Sequence, residues 1–315
     1  MNVAQQYDVV IIGGGFCGLS AAIYTTRSQL KTLVLERAVM GGQIINTDAI
    51  ENYPGVSKQI TGVDLITETE SQATKFGAEY GFGEVTKVAL EGGPPFKLWT
   101  DDEEYHAKAV IIATGGEHKK LGVPGEDEFG AKGVSYCATC DGNFFTNMDV
   151  TVVGGGDSAV QEGLYLTRMC KSVTVVHRRD ALRASKIQQE RAFANPKMKF
   201  VWDSVVERIG GNGQVESVSL RNLKTGQKSE MPTQGVFVYI GFTPLTEVFK
   251  PEIELDAGGH VKVDIMMQTN VPGVFAAGDC RWKSTKQLAN SAGDGVTAAI
   301  AAYEFITTGA VAGHK

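Results

Sequence analysis

The chain has 315 residues, of which 43% are hydrophobic and 21% are charged, and its formal net charge is -6 at pH 7. This composition predicts a soluble globular protein long enough for two domains, and the negative charge disfavours a nucleic-acid binder, which normally carries a basic surface. Residues 1 to 8 carry no basic region, and the following apolar run breaks at Gly13, so we expect neither a signal peptide nor a membrane-spanning helix. Five cysteines without the spacing of a disulfide framework favour a cytoplasmic location.

The first nucleotide-binding pattern occupies residues 7 to 36. An apolar strand is followed by a Gly-x-Gly-x-x-Gly turn built on Gly13, Gly15 and Gly18, and then by a predicted helix. These glycines permit the tight turn, the close approach of a pyrophosphate and the packing of the helix on the strand. Glu36 ends the next strand, 23 residues after Gly13, where an acid would bind the hydroxyls of an unphosphorylated adenosine ribose.

The same strand, glycine turn and helix recur between residues 150 and 176. The strand after this second turn, at residues 172 to 176, leads into His177, which lies 23 residues after Gly154, the same offset as that of Glu36 from Gly13. A basic segment replaces the acid here, and guanidinium groups pair with a 2'-phosphate that a carboxylate would repel. The second site is therefore predicted to prefer NADPH over NADH. Its candidate residues are Gly154, Gly156, Asp157, Ser158, His177, Arg178, Arg179 and Arg183.

A Cys-x-x-Cys pair, Cys137 and Cys140, lies between the two turns and is followed by Asp141. Such a pair can be a redox dithiol, half of a zinc site or two buried thiols. Zinc would need two further ligands, and the remaining cysteines are isolated in the sequence. The polar flanks fit a helix start, where backbone N–H groups lower a thiol pKa, so we interpret the pair as a redox dithiol. The isolated cysteines are Cys17, Cys170 and Cys280.

Further elements are predicted on both sides of the dithiol. An amphipathic helix covers residues 65 to 77, and a loop-rich stretch from 120 to 133 marks a domain boundary. Towards the C-terminus, residues 291 to 295 are predicted to open a long helix, whose start would stabilise the negative charge of a reduced flavin. Asp279, after a short strand, is a candidate acceptor for a flavin ribityl hydroxyl, although without the wider pattern these two features would indicate only a helix cap and a loop aspartate.

Taken together, these motifs make the chain similar to the low-molecular-weight, bacterial-type thioredoxin reductases of the class II pyridine nucleotide-disulfide oxidoreductases. The resemblance runs from residue 8 to about residue 305. The motifs on which the resemblance rests are residues 13–18, 41–43, 52–55, 137–142, 154–159, 177–180 and 275–279.

The resemblance implies an α/β fold with two Rossmann-like nucleotide-binding domains of the three-layer ββα type. Residues 1–117 and 245–315 would form the FAD domain, and residues 118–244 an inserted NADPH domain that carries the dithiol. It also implies a homodimer, with thioredoxin or a thioredoxin-like protein as the partner, and no nucleic acid, membrane or metal.

The resemblance assigns roles to individual residues. Cys140 would face the flavin, Cys137 would attack the thioredoxin disulfide, and Asp141 would move the proton. The residues that would bind FAD are Gly13, Gly15, Gly18, Glu36, Gly42, Gln43, Asn52, Ala113, Thr114, Gly115, Gly278, Asp279, Lys286, Gln287 and Leu288. The chain departs from the frequent pattern at Phe16-Cys17, Leu245 and Lys286, from which we expect only local retuning of FAD binding.

The implied reaction is a hydride transfer from NADPH to FAD, then electron transfer to the Cys137–Cys140 disulfide, then exchange with oxidised thioredoxin. The dithiol and the NADPH turn share one inserted domain, so this domain would rotate between half-reactions about residues 117–120 and 241–245. Alternatives are a related flavin-dithiol enzyme that oxidises small dithiols or takes electrons from ferredoxin or a deazaflavin, and, outside the enzymes, an NADP-sensing regulator.

Overall fold

A computed structural model of the chain describes residues 5–47, 50, 53–58, 60–130, 132–136 and 138–310. The chain divides into two compact units, Met1–Glu117 with Thr243–Lys315, and His118–Phe242. The two stretches that connect the units are short strands, Gly116–His118 and Phe242–Pro244, which pair with each other.

The first unit is built on a seven-stranded sheet whose central strands are parallel. The central runs of residues 9–12 and 109–112 are apolar and buried, as expected for parallel strands covered on both faces. Helices pack on one face of this sheet, and its own antiparallel strands Lys87–Ala89 and Phe96–Trp99 help to cover the other face. The elements of this unit are β1 Gln5–Ile12, α1 Phe16–Arg27, β2 Thr32–Glu36, α2 Gly62–Lys75, β3 Glu79–Phe82, β4 Lys87–Ala89, β5 Phe96–Trp99, β6 Glu104–Ile112, β17 Val274–Ala276 and α6 Leu288–Thr308.

The second unit repeats this layering. A five-stranded parallel sheet packs against helices on one face and a three-stranded antiparallel sheet on the other; its strands lie side by side in the order Met198–Val201, Ser172–Val176, Asp149–Gly154, Gly235–Tyr239 and Val134–Ser135. The elements, in chain order, are β8 Val134–Ser135, α3 Ala138–Asp141, β9 Asp149–Gly154, α4 Asp157–Leu166, β10 Ser172–Val176, α5 Lys186–Ala194, β11 Met198–Val201, β12 Ser204–Gly211, β13 Val215–Asn222, β14 Lys228–Pro232 and β15 Gly235–Tyr239. The connecting strands are β7 Gly116–His118 and β16 Phe242–Pro244. The predicted α/β class with two Rossmann-like units is confirmed.

The long C-terminal helix begins earlier than the sequence suggests. We expected residues 291 to 295 to open it, but α6 begins at Leu288, so these residues lie within the helix. Gly295 is required there by packing, because a Cβ at this position would lie 2.4 Å from the carbonyl oxygen of Cys17 on α1. The glycine therefore marks a close helix contact and not a helix start.

In the described part of the chain, no helix is long and apolar enough to cross a membrane. Within the same residues, no group of three or more His, Cys, Asp and Glu side chains is arranged to hold a metal ion.

Candidate functional site

The first glycine turn brings the start of α1 against the sheet. Gly13 has a φ of 110°, in the region that favours glycine, and a Cβ there would lie 2.4 Å from the carbonyl oxygen of Ala113. A Cβ at Gly18 would lie 1.9 Å from the carbonyl oxygen of Gly13. Gly15 is the N-cap of α1. The space around its Cβ position is open, since the nearest atom, a carbonyl oxygen, would lie 3.9 Å from a Cβ there. The turn is therefore closely packed at Gly13 and Gly18 and open at Gly15, which suits a pyrophosphate at the helix N-terminus.

Glu36 lies at the carboxyl end of β2, beside this turn. Its side chain is buried, and its two carboxylate oxygens accept hydrogen bonds from the backbone N–H groups of Gly14, at 2.8 Å, and Ala38, at 3.0 Å. Each oxygen keeps further lone pairs for ribose hydroxyls. The geometry thus suits the role that the sequence predicted for this acid.

Two buried oxygens in the first unit lack partners. Thr114 Oγ1 and Asp279 Oδ1 have no hydrogen-bond partner among the described residues, although buried polar atoms are nearly always paired. They follow β6 and β17, which pair in parallel with Ile112 opposite Ala276, so both lie at the carboxyl edge of the sheet, where nucleotides bind in such folds. Burial raises the pKa of Asp279, and the charge of Lys286 opposes this shift. A ligand rich in hydroxyl groups, such as the ribityl chain of FAD, would satisfy both atoms.

A buried ion pair holds the segment around Asp279. The Arg281 guanidinium donates to both oxygens of Asp294 on α6, from Nε at 2.7 Å and from Nη2 at 2.8 Å, and the two side chains are only 13% and 7% exposed. Asp294 Oδ2 also accepts from Asn290 Nδ2 at 2.9 Å and from the Gly278 N–H at 3.2 Å. This network joins the Gly278–Cys280 turn to α6 and was not predicted from the sequence.

The other predicted FAD residues that the structure describes lie in loops and turns of the first unit or at the start of α6. Gly42, Gly115 and Gly278 have positive φ values of 60°, 59° and 77°. Gln43 Nε2 donates to the carbonyl oxygen of Gly116 at 3.4 Å. The remaining positions are Ala113, which is buried, Lys286 in the loop before α6, Gln287, which caps α6, Leu288, its first residue, and Asn52, which lies outside the described residues.

The second glycine turn caps α4 in the same way. Gly154 has a φ of 149°, and a Cβ there would lie 2.3 Å from the carbonyl oxygen of Tyr239, whereas Gly156 has open space at its Cβ position. Asp157 Oδ1 accepts a hydrogen bond from the Ser185 N–H at 2.8 Å. Ser158 is exposed in the first turn of α4, available to a phosphate at this helix N-terminus.

The basic segment after β10 separates into buried and exposed parts. His177 is 4% exposed, its Nε2 has no hydrogen-bond partner in the part of the chain that the structure describes, and a Cβ at Gly155 would lie 2.4 Å from its ring. Burial, and then the neighbouring arginines, lower the pKa of His177, so the ring is neutral. Arg178, Arg179 and Arg183 are exposed, and within the described residues no carboxylate pairs with their side chains. Exposed guanidinium groups suit a 2'-phosphate, while the histidine supports the turn.

The dithiol segment lies in the second unit. Cys137 is outside the described residues, and Cys140 lies on the short helix α3. Asp141 Oδ2 accepts a hydrogen bond from Ser135 Oγ at 2.6 Å, and the Ala138 N–H donates to the Tyr239 hydroxyl oxygen at 2.8 Å. The segment between the two cysteines is thus anchored to β15.

The other three cysteines are buried and free. Burial raises the pKa of Cys170 and of Cys280 to about 11 and that of Cys17 well above its ordinary value. They remain neutral thiols at physiological pH, as expected of small buried side chains without a redox role.

The sequence profile of the family described as pyridine nucleotide-disulphide oxidoreductase matches residues 7–295. The chain belongs to this oxidoreductase family. It is 50% identical over 302 residues to a thioredoxin reductase of Listeria innocua, covering 95% of this chain and 94% of the relative. It is 48% identical over 307 residues to a thioredoxin reductase of Bacillus subtilis, covering 97% and 96%.

Solved structures of the family agree with this placement. The crystal structure of Lactococcus lactis thioredoxin reductase, in the FR conformation, matches with a TM-score of 0.93 and 48% identity over 96% of this chain and 99% of that chain. Thioredoxin reductase of T. acidophilum matches with a TM-score of 0.91 and 35% identity over 96% and 100%. The resemblance that the motifs predicted is confirmed.

The sequence motifs did not predict several residues that contact the candidate site of this oxidoreductase. Arg281 and Asp294 carry no motif signal, and Tyr239 lies 101 residues from Ala138, its hydrogen-bond partner. Asn290 stands four residues before Asp294 on one face of α6, but the predicted helix opened at residue 291 and therefore did not include it. That spacing indicates a side-chain contact but not the arginine that completes it.

Proposed function

We propose that the protein is an NADPH-dependent thioredoxin-disulfide reductase that uses FAD. The observation that carries the proposal is the Cys137-x-x-Cys140-Asp141 segment, which shares one compact unit with an NADPH-type glycine turn and its exposed arginines. Relatives named thioredoxin reductase, 48% to 50% identical over nearly the whole chain, support it. The substrate would be a thioredoxin or thioredoxin-like protein.

The residues of the first unit would hold FAD, which, when bound, takes a hydride from NADPH and passes two electrons to a disulfide. Residues 1–117 and 245–315 would form this domain. Glu36 would bind the adenosine ribose, the Gly13–Gly18 turn the pyrophosphate, and Thr114 and Asp279 the ribityl hydroxyls. The last assignment is supported by the two unpartnered oxygens.

Residues 118–244 would form the NADPH domain. Ser158 and the helix start at Gly156 would bind the phosphates, and Arg178, Arg179 and Arg183 the 2'-phosphate. Asp141 would hold or release the proton that thiol-disulfide exchange requires, and its bond from Ser135 orients the carboxylate for this task. We further propose rotation of this domain between half-reactions, a homodimer and a cytoplasmic location.

Anaerobic titration of the purified yellow protein tests the function. NADPH should bleach the flavin absorbance at stoichiometric amounts and NADH weakly, and a thioredoxin should then support turnover that Cys140→Ser abolishes. Cys170→Ala, which removes a buried thiol remote in sequence from the dithiol, should retain turnover and serves as the control. Bleaching by neither nucleotide would contradict the proposal and direct attention to ferredoxin, reduced deazaflavins or small dithiols as donors.

Asp279→Asn should stabilise the FAD-free protein while weakening FAD binding. Because burial raises the pKa of Asp279 in the folded state, ionisation disfavours folding as the pH rises above the ordinary carboxyl pKa, and the variant escapes this cost. The gap in melting temperature between variant and wild-type apoprotein should therefore be small at pH 3.5 and open towards pH 7. Since FAD loses a charged acceptor, we expect its dissociation constant to rise roughly tenfold.

Thermal melts of apoprotein and flavin-fluorescence titrations check both parts. A variant apoprotein that melts below the wild type at pH 7, or unchanged FAD affinity, would contradict the proposed role of Asp279.

A further inference from the structure

The dithiol segment is anchored by a tyrosine from a distant strand. Tyr239 is the last residue of β15, and its hydroxyl oxygen accepts the Ala138 N–H at 2.8 Å. Both residues are buried, at 8% and 0% exposure. Ala138 directly follows Cys137 and precedes Cys140 by two positions, so this hydrogen bond fixes the backbone between the two cysteines.

The Tyr239 ring is itself supported by an aromatic cluster. The His118 ring meets it edge-on, with centroids 6.1 Å apart and an interplanar angle of 83°, and His118 stacks on Tyr136 at 6.3 Å and 25°. Tyr136 directly precedes Cys137. Contacts therefore hold Tyr136 and Ala138, the two residues that flank Cys137 in the sequence.

A buried carboxylate fixes the far end of this cluster. Glu126 is 3% exposed, and it accepts hydrogen bonds from the Tyr136 hydroxyl at 2.7 Å and from the N–H groups of Leu121 and Gly122 at 2.8 and 2.7 Å. Three donors satisfy the carboxylate, so Tyr136 is held firmly. The chain of contacts from Glu126 through Tyr136 and His118 to Tyr239 is continuous.

The acceptor of the Ala138 N–H is a neutral hydroxyl and not a carboxylate, and this difference affects the dithiol. The first N–H groups of a helix need partners, and carboxylates commonly supply them. A carboxylate bound to this amide would add a second negative charge beside that of Asp141 and would further disfavour the thiolates that exchange requires. Burial, with the negative charges of Glu162 and Asp141, raises the pKa of Tyr239, so the phenol stays neutral. It satisfies the amide without adding a charge.

We propose that Tyr239 is a positioning residue that sets the redox equilibrium of the Cys137–Cys140 pair by fixing the Ala138 amide. The inference rests on the proposed function only in requiring that the pair forms a disulfide. In that step the two thiols give two electrons and two protons to an oxidised partner. A restriction of the backbone between two thiols raises the effective concentration of one towards the other and so favours the disulfide over the dithiol.

Tyr239→Phe in the holoenzyme tests this, because it removes only the hydroxyl and keeps the ring that His118 contacts. In glutathione buffers of graded ratio, quenched by alkylation, the equilibrium constant for disulfide formation should fall about threefold to tenfold, which corresponds to ~14 to ~30 mV for a two-electron couple. Hydrogen exchange at the Ala138 amide should become at least about tenfold faster, because the amide loses its acceptor.

Tyr80→Phe is the matched control, since it removes a half-buried hydroxyl that bonds to Thr74 and Glu70 in the first unit. It should change neither measurement. An unchanged equilibrium constant or unchanged exchange in Tyr239→Phe would overturn the inference, as would an equal shift in Tyr80→Phe. Failure of the wild type to form any disulfide would instead overturn the proposed function, so the two failures are distinguishable.

Discussion

Gly18→Ala should yield a protein that no longer retains FAD. The new Cβ would lie 1.9 Å from the carbonyl oxygen of Gly13 and 3.1 Å from its carbonyl carbon. Both are backbone atoms of the turn, so α1 must move away from the sheet and the turn must open. We expect an unfolding free energy lower by about 3 kcal/mol and a purified protein without yellow colour, measured by denaturation and by flavin absorbance.

The second turn supplies the matched control. Ala159 stands three residues after Gly156, as Gly18 stands three residues after Gly15, and it is fully buried. Ala159→Gly should cost only about 1 kcal/mol and leave the flavin in place. Stoichiometric FAD in purified Gly18→Ala would show that α1 can shift without loss of the site.

Asp294→Ala should cost about 3 to 5 kcal/mol of unfolding free energy, because it leaves the Arg281 guanidinium buried without its partner. The same change removes the acceptor of the Gly278 N–H. The turn that carries Asp279 then loses its tie to α6, so we expect weaker FAD binding as well. Denaturation with and without added FAD separates the two effects.

An exposed pair of the same chemistry is the control. Arg37 and Glu117 form a guanidinium–carboxylate contact at 2.6 Å, with side chains 41% and 53% exposed. Glu117→Ala should cost less than about 1 kcal/mol, since water replaces the lost partner. A cost below about 1 kcal/mol for Asp294→Ala would mean that water reaches Arg281 and that the network does not support the turn.

The sequence predicted features that depend on local pattern. The strand at residues 172 to 176 was placed at its observed limits, because a short apolar run bounded by polar residues has few other structures available. Glu36 was identified by its distance from the turn, and its contact with Gly14 follows from the strand-turn-helix geometry.

The sequence did not predict features that depend on tertiary packing. The cluster of Ser291 to Gly295 suggested a helix start, because glycine is a poor helix former. Contact between α6 and α1 overrides that preference at Gly295. The Arg281–Asp294 and Tyr239–Ala138 contacts join separate elements, and nothing in the local sequence of either partner indicates the other.

Tyr239 is paired with Gly154 in the register of β15 and β9, and its carbonyl oxygen limits the space at this glycine. The same residue therefore contacts the nucleotide turn through its backbone and the dithiol segment through its side chain. The Arg183 N–H donates to the carbonyl oxygen of Gly155 in the same turn at 2.7 Å, but the side chains of the arginines that would select the nucleotide are exposed after β10. For protein engineering, nucleotide preference should thus be a separable trait, changed at the arginines alone, whereas the glycine turn and the dithiol form a single unit that has to be redesigned together.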